Sequence, residues 1–144
     1  MTMKRLLTLL FASAMMLTSC DVFVDEVTHQ DIVGTWDFFI WENNDYGTVT
    51  ISQSGDCSVC YIGIGGLHKE PENYVYTSGI IKVSGGKVAV EVPEWPTGTF
   101  EIRASSREAN RYLINPLKSG YASILLGHNI CNNPSEFIFG GGGW

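Results

Sequence analysis

From Ile32 onward the chain reads as a succession of short apolar–polar alternations separated by turn residues, and this constrains its fold more than any other feature. Tyr46–Gln53 places Val49 and Ile51 on one face and Thr48, Thr50 and Ser52 on the other. Val88, Val90 and Val92 alternate with Lys87, Ala89 and Glu91, and Phe100, Ile102 and Ala104 alternate with Glu101 and Arg103. A period of two is the signature of a half-buried strand, because successive side chains point to opposite faces. Ser54-Gly55-Asp56 and Ser84-Gly85-Gly86 are hairpin turn signals between such runs. Ile32–Trp41, Cys57–Ile64, Tyr74–Val83, Tyr112–Ile114, Tyr121–Leu126 and Phe137–Phe139 complete the set, with polar loops at His68–Asn73 and Ser105–Asn110. No stretch in this region has the 3.6-residue periodicity of an amphipathic helix. Sixteen glycines and frequent β-branched and aromatic residues agree with many turns and strands. The expectation is an all-β domain: an antiparallel up-and-down barrel of about eight strands, with a β-sandwich as the alternative.

The N-terminus has a different character. Lys4 and Arg5 precede an apolar run from Leu6 to Met16, too short to span a bilayer, and Leu17-Thr18-Ser19-Cys20 follows. This order of charge, apolar run and small residues is that of an export signal, and its ending resembles the lipobox of bacterial lipoproteins. The resemblance implies cleavage after Ser19 and acylation of Cys20, anchoring the protein in the bacterial cell envelope at the outer membrane, with the periplasmic or surface side left open. The expected organisation is a signal peptide over 1–19, an acylated cysteine and acidic tether over 20–30, and one domain over 31–144. Losing Lys4 and Arg5 with the signal takes the formal charge from −6 to −8. Such a surface repels phosphate backbones, which argues against nucleic acid as a partner, and it offers no polybasic membrane patch. The membrane partner is then reached through the lipid on Cys20.

Gly34-Thr35-Trp36 opens the first strand, where glycine permits a tight bend and the tryptophan can plug one end of a barrel. With the hairpin Thr48–Asp56 and the pair Gly79–Val83 and Gly86–Val90, this pattern resembles the lipocalin-like domains of bacterial lipoproteins over roughly residues 31–115. The resemblance implies a calycin-type barrel with Gly34 and Trp36 as its structural plug. The Thr-Asp-Tyr motif and flanking long helix of true lipocalins are missing, and the arginine that covers the tryptophan in that family has two candidates, Arg103 and Arg111.

The chemistry-bearing residues are few. Cys57-Ser58-Val59-Cys60 and His128-Asn129-Ile130-Cys131 have spacings that zinc accepts. Strand alternation sends Cys57 and Cys60 to opposite faces, however, so the expectation is no metal and no other cofactor. The competing readings are a disulfide from Cys131 to Cys57 or Cys60, or buried free thiols. Glu91 and Glu94, just before Trp95, could mimic a glycosidase acid pair beside a stacking platform, but they read better as exposed strand-end charges. No nucleophile–base arrangement is discernible, so no catalytic residue is assigned. Aromatics remain. Trp36 and Phe38 are expected in the core, and Trp41, Tyr74, Tyr76 and Trp95 are candidate rim residues for ligand stacking. Two functional expectations follow: non-catalytic binding of a small apolar or aromatic ligand in the barrel, or a protein-interaction module such as an envelope accessory subunit or calycin-type peptidase inhibitor.

Overall fold

The computed structural model describes residues 26–117, 123–134 and 136. The expected signal peptide (1–19), Cys20, Tyr121, Phe137–Phe139 and Trp144 lie outside the described residues. Among the described residues nine strands run in chain order: β1 (Gly34–Ile40), β2 (Asp45–Ile51), β3 (Asp56–Ile64), β4 (Leu67–His68), β5 (Val75–Ser84), β6 (Lys87–Glu91), β7 (Gly98–Ala104), β8 (Tyr112–Pro116) and β9 (Ile124–Gly127). All pair antiparallel. The sheet order β2-β1-β9-β8-β7-β6-β5-β3-β4, with β2 also paired to β3, closes an up-and-down barrel of eight strands. The two-residue β4 is an appendage on β3 through Gly63↔His68 and Ile64↔Leu67. Closure removes the free edges that an open sheet of this size would expose. The barrel, rather than the sandwich, is the architecture.

Local chemistry explains the hairpins. Gly85 and Gly86 both have positive φ (59° and 72°), the backbone that a two-residue turn between right-twisted strands requires. They set the register Ser84↔Lys87 through Ile80↔Glu91. At Gly47 a register shift lets β2 press against β3 so closely that a Cβ there would fall on the carbonyl oxygen of Cys60. Only glycine fits.

The inward faces fill the barrel. Phe38, Val49, Val59, Tyr61, Ile81, Val88, Val90, Phe100, Ile114, Ile124 and Leu126 form one continuous cluster with Trp36 and Trp95. Burial of this apolar surface is the dominant stabilising contribution. The end at which β1 starts is closed by a 3-10 helix, His29–Ile32, whose start is fixed by Asp31 Oδ2 accepting from Thr28 N (2.8 Å) and Thr28 Oγ1 (3.1 Å). Ile32 and Val27 enter the core, and Trp36 Nε1 donates to Ile32 O at 2.9 Å. His29 clamps this helix to two neighbouring hairpins: Nε2 donates to Ser52 O (2.8 Å) and Nδ1 accepts from Val83 N (3.1 Å). The segment expected to be tether up to residue 30 is therefore part of the fold from Val27, which is only 5% exposed. An apolar residue spaced to reach the open barrel end overrides the acidic character of its neighbours.

A second, smaller cluster lies on the outside. Phe39 and Leu125, which alternation points away from the barrel interior, are covered by Ile130 and pack with Tyr46, Trp41, Ile62 and Cys131. This explains why β1 is apolar on both faces.

Candidate functional site

The two barrel ends are closed by different devices. At the first, the indole of Trp36 is 6% exposed, stacked on His128 (centroids 4.7 Å, planes 14° apart) and edge-on to Tyr112 (5.4 Å). Arg111, one of the two arginine candidates, approaches the neighbouring Gly127, with its Nε within contact distance of where a Cβ would stand.

At the opposite end, expectation and structure part. Trp95 was expected on an exposed rim; it is 5% exposed and occupies the barrel mouth. Its ring sits 4.7 Å from that of Phe38, tilted by 51°. Glu94, with φ of 70°, turns the backbone so that the next side chain points inward, and Trp95 N donates to Val92 O (3.1 Å) in the same turn. The Tyr61 hydroxyl donates to Pro93 O at 3.0 Å and holds the loop down. Burial pushes the Tyr61 phenol well above its ordinary range, Asp45 adds to the shift, and the neighbouring Trp95 indole opposes it. Among the described residues Trp95 Nε1 is buried and, though close to the Tyr61 oxygen, completes no well-formed hydrogen bond. A donor left unsatisfied in this way costs about 1–3 kcal/mol, so packing is the main contribution that holds this plug in place.

Of the other candidate residues, Trp41 is half-buried in the outer cluster, edge-on to Phe39 at 5.4 Å. Tyr74 is half-buried, and Tyr76 is 72% exposed. The structure does not bring Trp41, Tyr74, Tyr76 and Trp95 together around one opening.

A different surface emerges on the outer faces of β2, β3 and β5. The registers Thr50↔Ser58↔Ser78 and Thr48↔Cys60↔Tyr76 set outward side chains in parallel rows. Thr35 extends the first row, its Oγ1 lying 2.9 Å from that of Thr50. These rows line a shallow groove of about 600 Å³ formed by Thr48, Thr50, Ser58, Cys60, Tyr76 and Ser78 with no charged residue among its lining. The Tyr76 phenol is pushed above its ordinary range chiefly by its interaction with Cys60. Ile80 (40% exposed) on β5, and Ile64 and Leu67 (69%) at the β3–β4 end, add apolar surface to this side. Sequence reasoning singled out Tyr76 but passed over the hydroxyl rows. The available signal was the hydroxyl-bearing residues at the outward positions Thr48, Thr50 and Ser58, when β6 and β7 carry Lys87, Glu91, Glu101 and Arg103 at theirs.

The cysteines separate as alternation dictates. Cys57 faces the core, whereas Cys60 lines the outer groove. Cys131 lies beside the outer cluster, its N donating to Asp37 Oδ2 (3.0 Å) and its Sγ to Gly47 O (3.2 Å). All three are free thiols. Among the described residues no three His, Cys, Asp or Glu side chains converge as a metal site. His128, stacked on Trp36, is not brought together with Cys57 and Cys60.

No protein-family model, curated protein or solved structure gives a significant match to this chain. What fold and surface define is a closed, side-chain-filled antiparallel β-barrel with one outer groove whose lining carries no charged residue.

Proposed function

We propose that this protein is a lipid-anchored, lipocalin-like envelope lipoprotein that acts without catalysis, as a protein-interaction module docking through the outer faces of β2, β3 and β5. The observation that carries this reading is Tyr76, 72% exposed in a groove with no charged lining residue, on a chain with formal charge −6. Depletion of charge with an exposed tyrosine is the composition of an interface centre. The threonine and serine hydroxyls supply adaptable hydrogen bonds around it. The partner is a protein of the same envelope, as an anchored accessory subunit requires. Acylation of Cys20 supplies the anchor, and Cys20→Ser is expected to abolish palmitate incorporation and membrane partitioning. The alternative, a small apolar or aromatic ligand inside the barrel, is disfavoured by the occupied mouth, where Trp95 and Phe38 already fill the space such a ligand needs.

The test is site-specific photocrosslinking of the full-length chain in its source bacterium. A photoreactive phenylalanine at position 76 is expected to give one discrete protein adduct, and the same group at exposed Lys87 on β6 none. Equal yields at both positions, or no adduct at position 76, would overturn the assignment of the interface. Saturable one-to-one binding of a neutral apolar fluorophore with quenching of tryptophan emission would instead restore the barrel-ligand reading.

A further inference from the structure

With Cys20 set aside for the lipid, the three remaining cysteines can pair completely in no arrangement, and the barrel sorts them. Cys57 is enclosed in the core, so neither other thiol can reach it without opening the barrel. Cys60 and Cys131 are both half-buried on the outside. Asp37, Thr48 and Cys60 are successive cross-strand neighbours on β1, β2 and β3. Neighbouring strands are spaced about 4.8 Å apart. Cys131 is fastened above this row, with its backbone on Asp37 and its sulfur on Gly47 O of the middle strand. Gly47 is the residue whose close approach to Cys60 permits only glycine. The Cys131 sulfur is therefore held over β2, one strand from Cys60, by a segment (128–134) of turns and bends that contains no strand.

We infer that Cys60 and Cys131 form an intrachain disulfide in the mature protein, stapling the segment that covers Phe39 and Leu125 to the groove wall on β3. The inference rests on the export reading, because the envelope beyond the inner membrane is an oxidising compartment. The oxidant is a disulfide donor acting by thiol exchange. The Cys60 thiolate attacks one donor sulfur and expels the other as a thiolate, leaving a mixed disulfide. The Cys131 thiolate then attacks the Cys60 sulfur and expels the remaining donor thiolate. The two cysteines lose two protons and two electrons, and the donor leaves as two thiols. The second step is the slow one. Burial, then the neighbouring Asp37 carboxylate, pushes the Cys131 thiol up to about 12, with Cys60 adding to the shift. Its thiolate fraction at neutral pH is correspondingly small, and closure accelerates as pH rises. Closure also needs segment 128–134 to move toward β3, a shift that its turns and bends can absorb.

The test uses the full-length chain with Cys20→Ser, which removes the thiol that acylation occupies in the mature protein; it is reduced, freed of reductant and incubated with oxidised glutathione at pH 7 and pH 8. After acid quenching, it is denatured with N-ethylmaleimide, then reduced, labelled with iodoacetamide and fragmented for mass spectrometry. Maleimide on Cys57 and carbamidomethyl on Cys60 and Cys131 are expected, in monomeric chains, with closure roughly tenfold faster at pH 8 than at pH 7. Maleimide on both Cys60 and Cys131, glutathione retained on either, a bond to Cys57, or cross-linked chains would overturn the pairing. The same labelling on chain harvested from cell envelopes separates the two premises. A pair that closes in vitro but is reduced in the envelope refutes the export reading and the mature staple together. A pair that stays open in vitro refutes the geometry alone.

Discussion

Replacing Trp95 tests whether the barrel mouth is closed by shape. A tryptophan buries roughly 150–250 Å², worth about 4–6 kcal/mol at about 25 cal/mol per Å². Trp95 is 5% exposed, so it realises nearly all of this. Two terms reduce the loss on truncation. The buried Nε1–H without a partner costs about 1–3 kcal/mol in the native protein, and Trp95→Ala removes that cost along with the ring. Alanine also keeps its own methyl contribution. The expected destabilisation is therefore about 2–4 kcal/mol, at or below the usual range for emptying a large aromatic site. Trp95→Phe is the discriminating variant. It keeps most of the packing against Phe38 and deletes the orphaned donor, so it should fall within about 1 kcal/mol of wild type. Urea melts followed by far-UV circular dichroism give both values without relying on tryptophan emission, and unchanged slopes would show that the transition remains comparable. If Trp95→Phe loses as much as Trp95→Ala, the indole N–H does have a partner. If Trp95→Ala loses less than about 1 kcal/mol, the loop collapses freely and Trp95 is not a plug.

His29→Ala removes the clamp between the 3-10 helix and the two hairpins at the other end, leaving Val83 N without its acceptor. The expected cost is about 1–3 kcal/mol, with faster hydrogen exchange at the Val83 amide read by NMR. Alkaline pH should unfold the barrel. The Tyr46, Tyr61 and Tyr112 phenols are all raised above their ordinary values by burial. The unfolded chain therefore releases these protons first, at about pH 10, and folded stability falls as pH rises through that value toward the native ones. Phenolate absorbance should rise together with loss of the sheet signal; a smooth titration of these tyrosines with the sheet intact would refute the burial argument.

The period-two pattern carried most of the fold. Thr48–Ile51, Lys87–Glu91 and Phe100–Ala104 specify strand and buried face together, because alternation is a property of the backbone and needs no tertiary information. Gly85-Gly86 likewise specifies its turn locally, through φ values that other residues avoid. Alternation also parted Cys57 from Cys60, leaving one inside the barrel and one outside. The placement of Val27, Trp95, Ile130 and Cys131 was not legible in this way. Each lies outside regular strand, where no local period says which way a side chain points, and each is placed by what the barrel leaves uncovered: an end for Val27, a mouth for Trp95, the outward rings of β1 for Ile130. The sequence by itself determined an all-β chain of alternating strands with Trp36 and Phe38 in its core. Only the tertiary structure decided that Trp95 is core, that the hydroxyl rows and Tyr76 share one groove, and that Cys131 lies one strand from Cys60. Those outcomes depend on cross-strand register and on loops returning to fill apolar space, both set by contacts between residues distant in the chain.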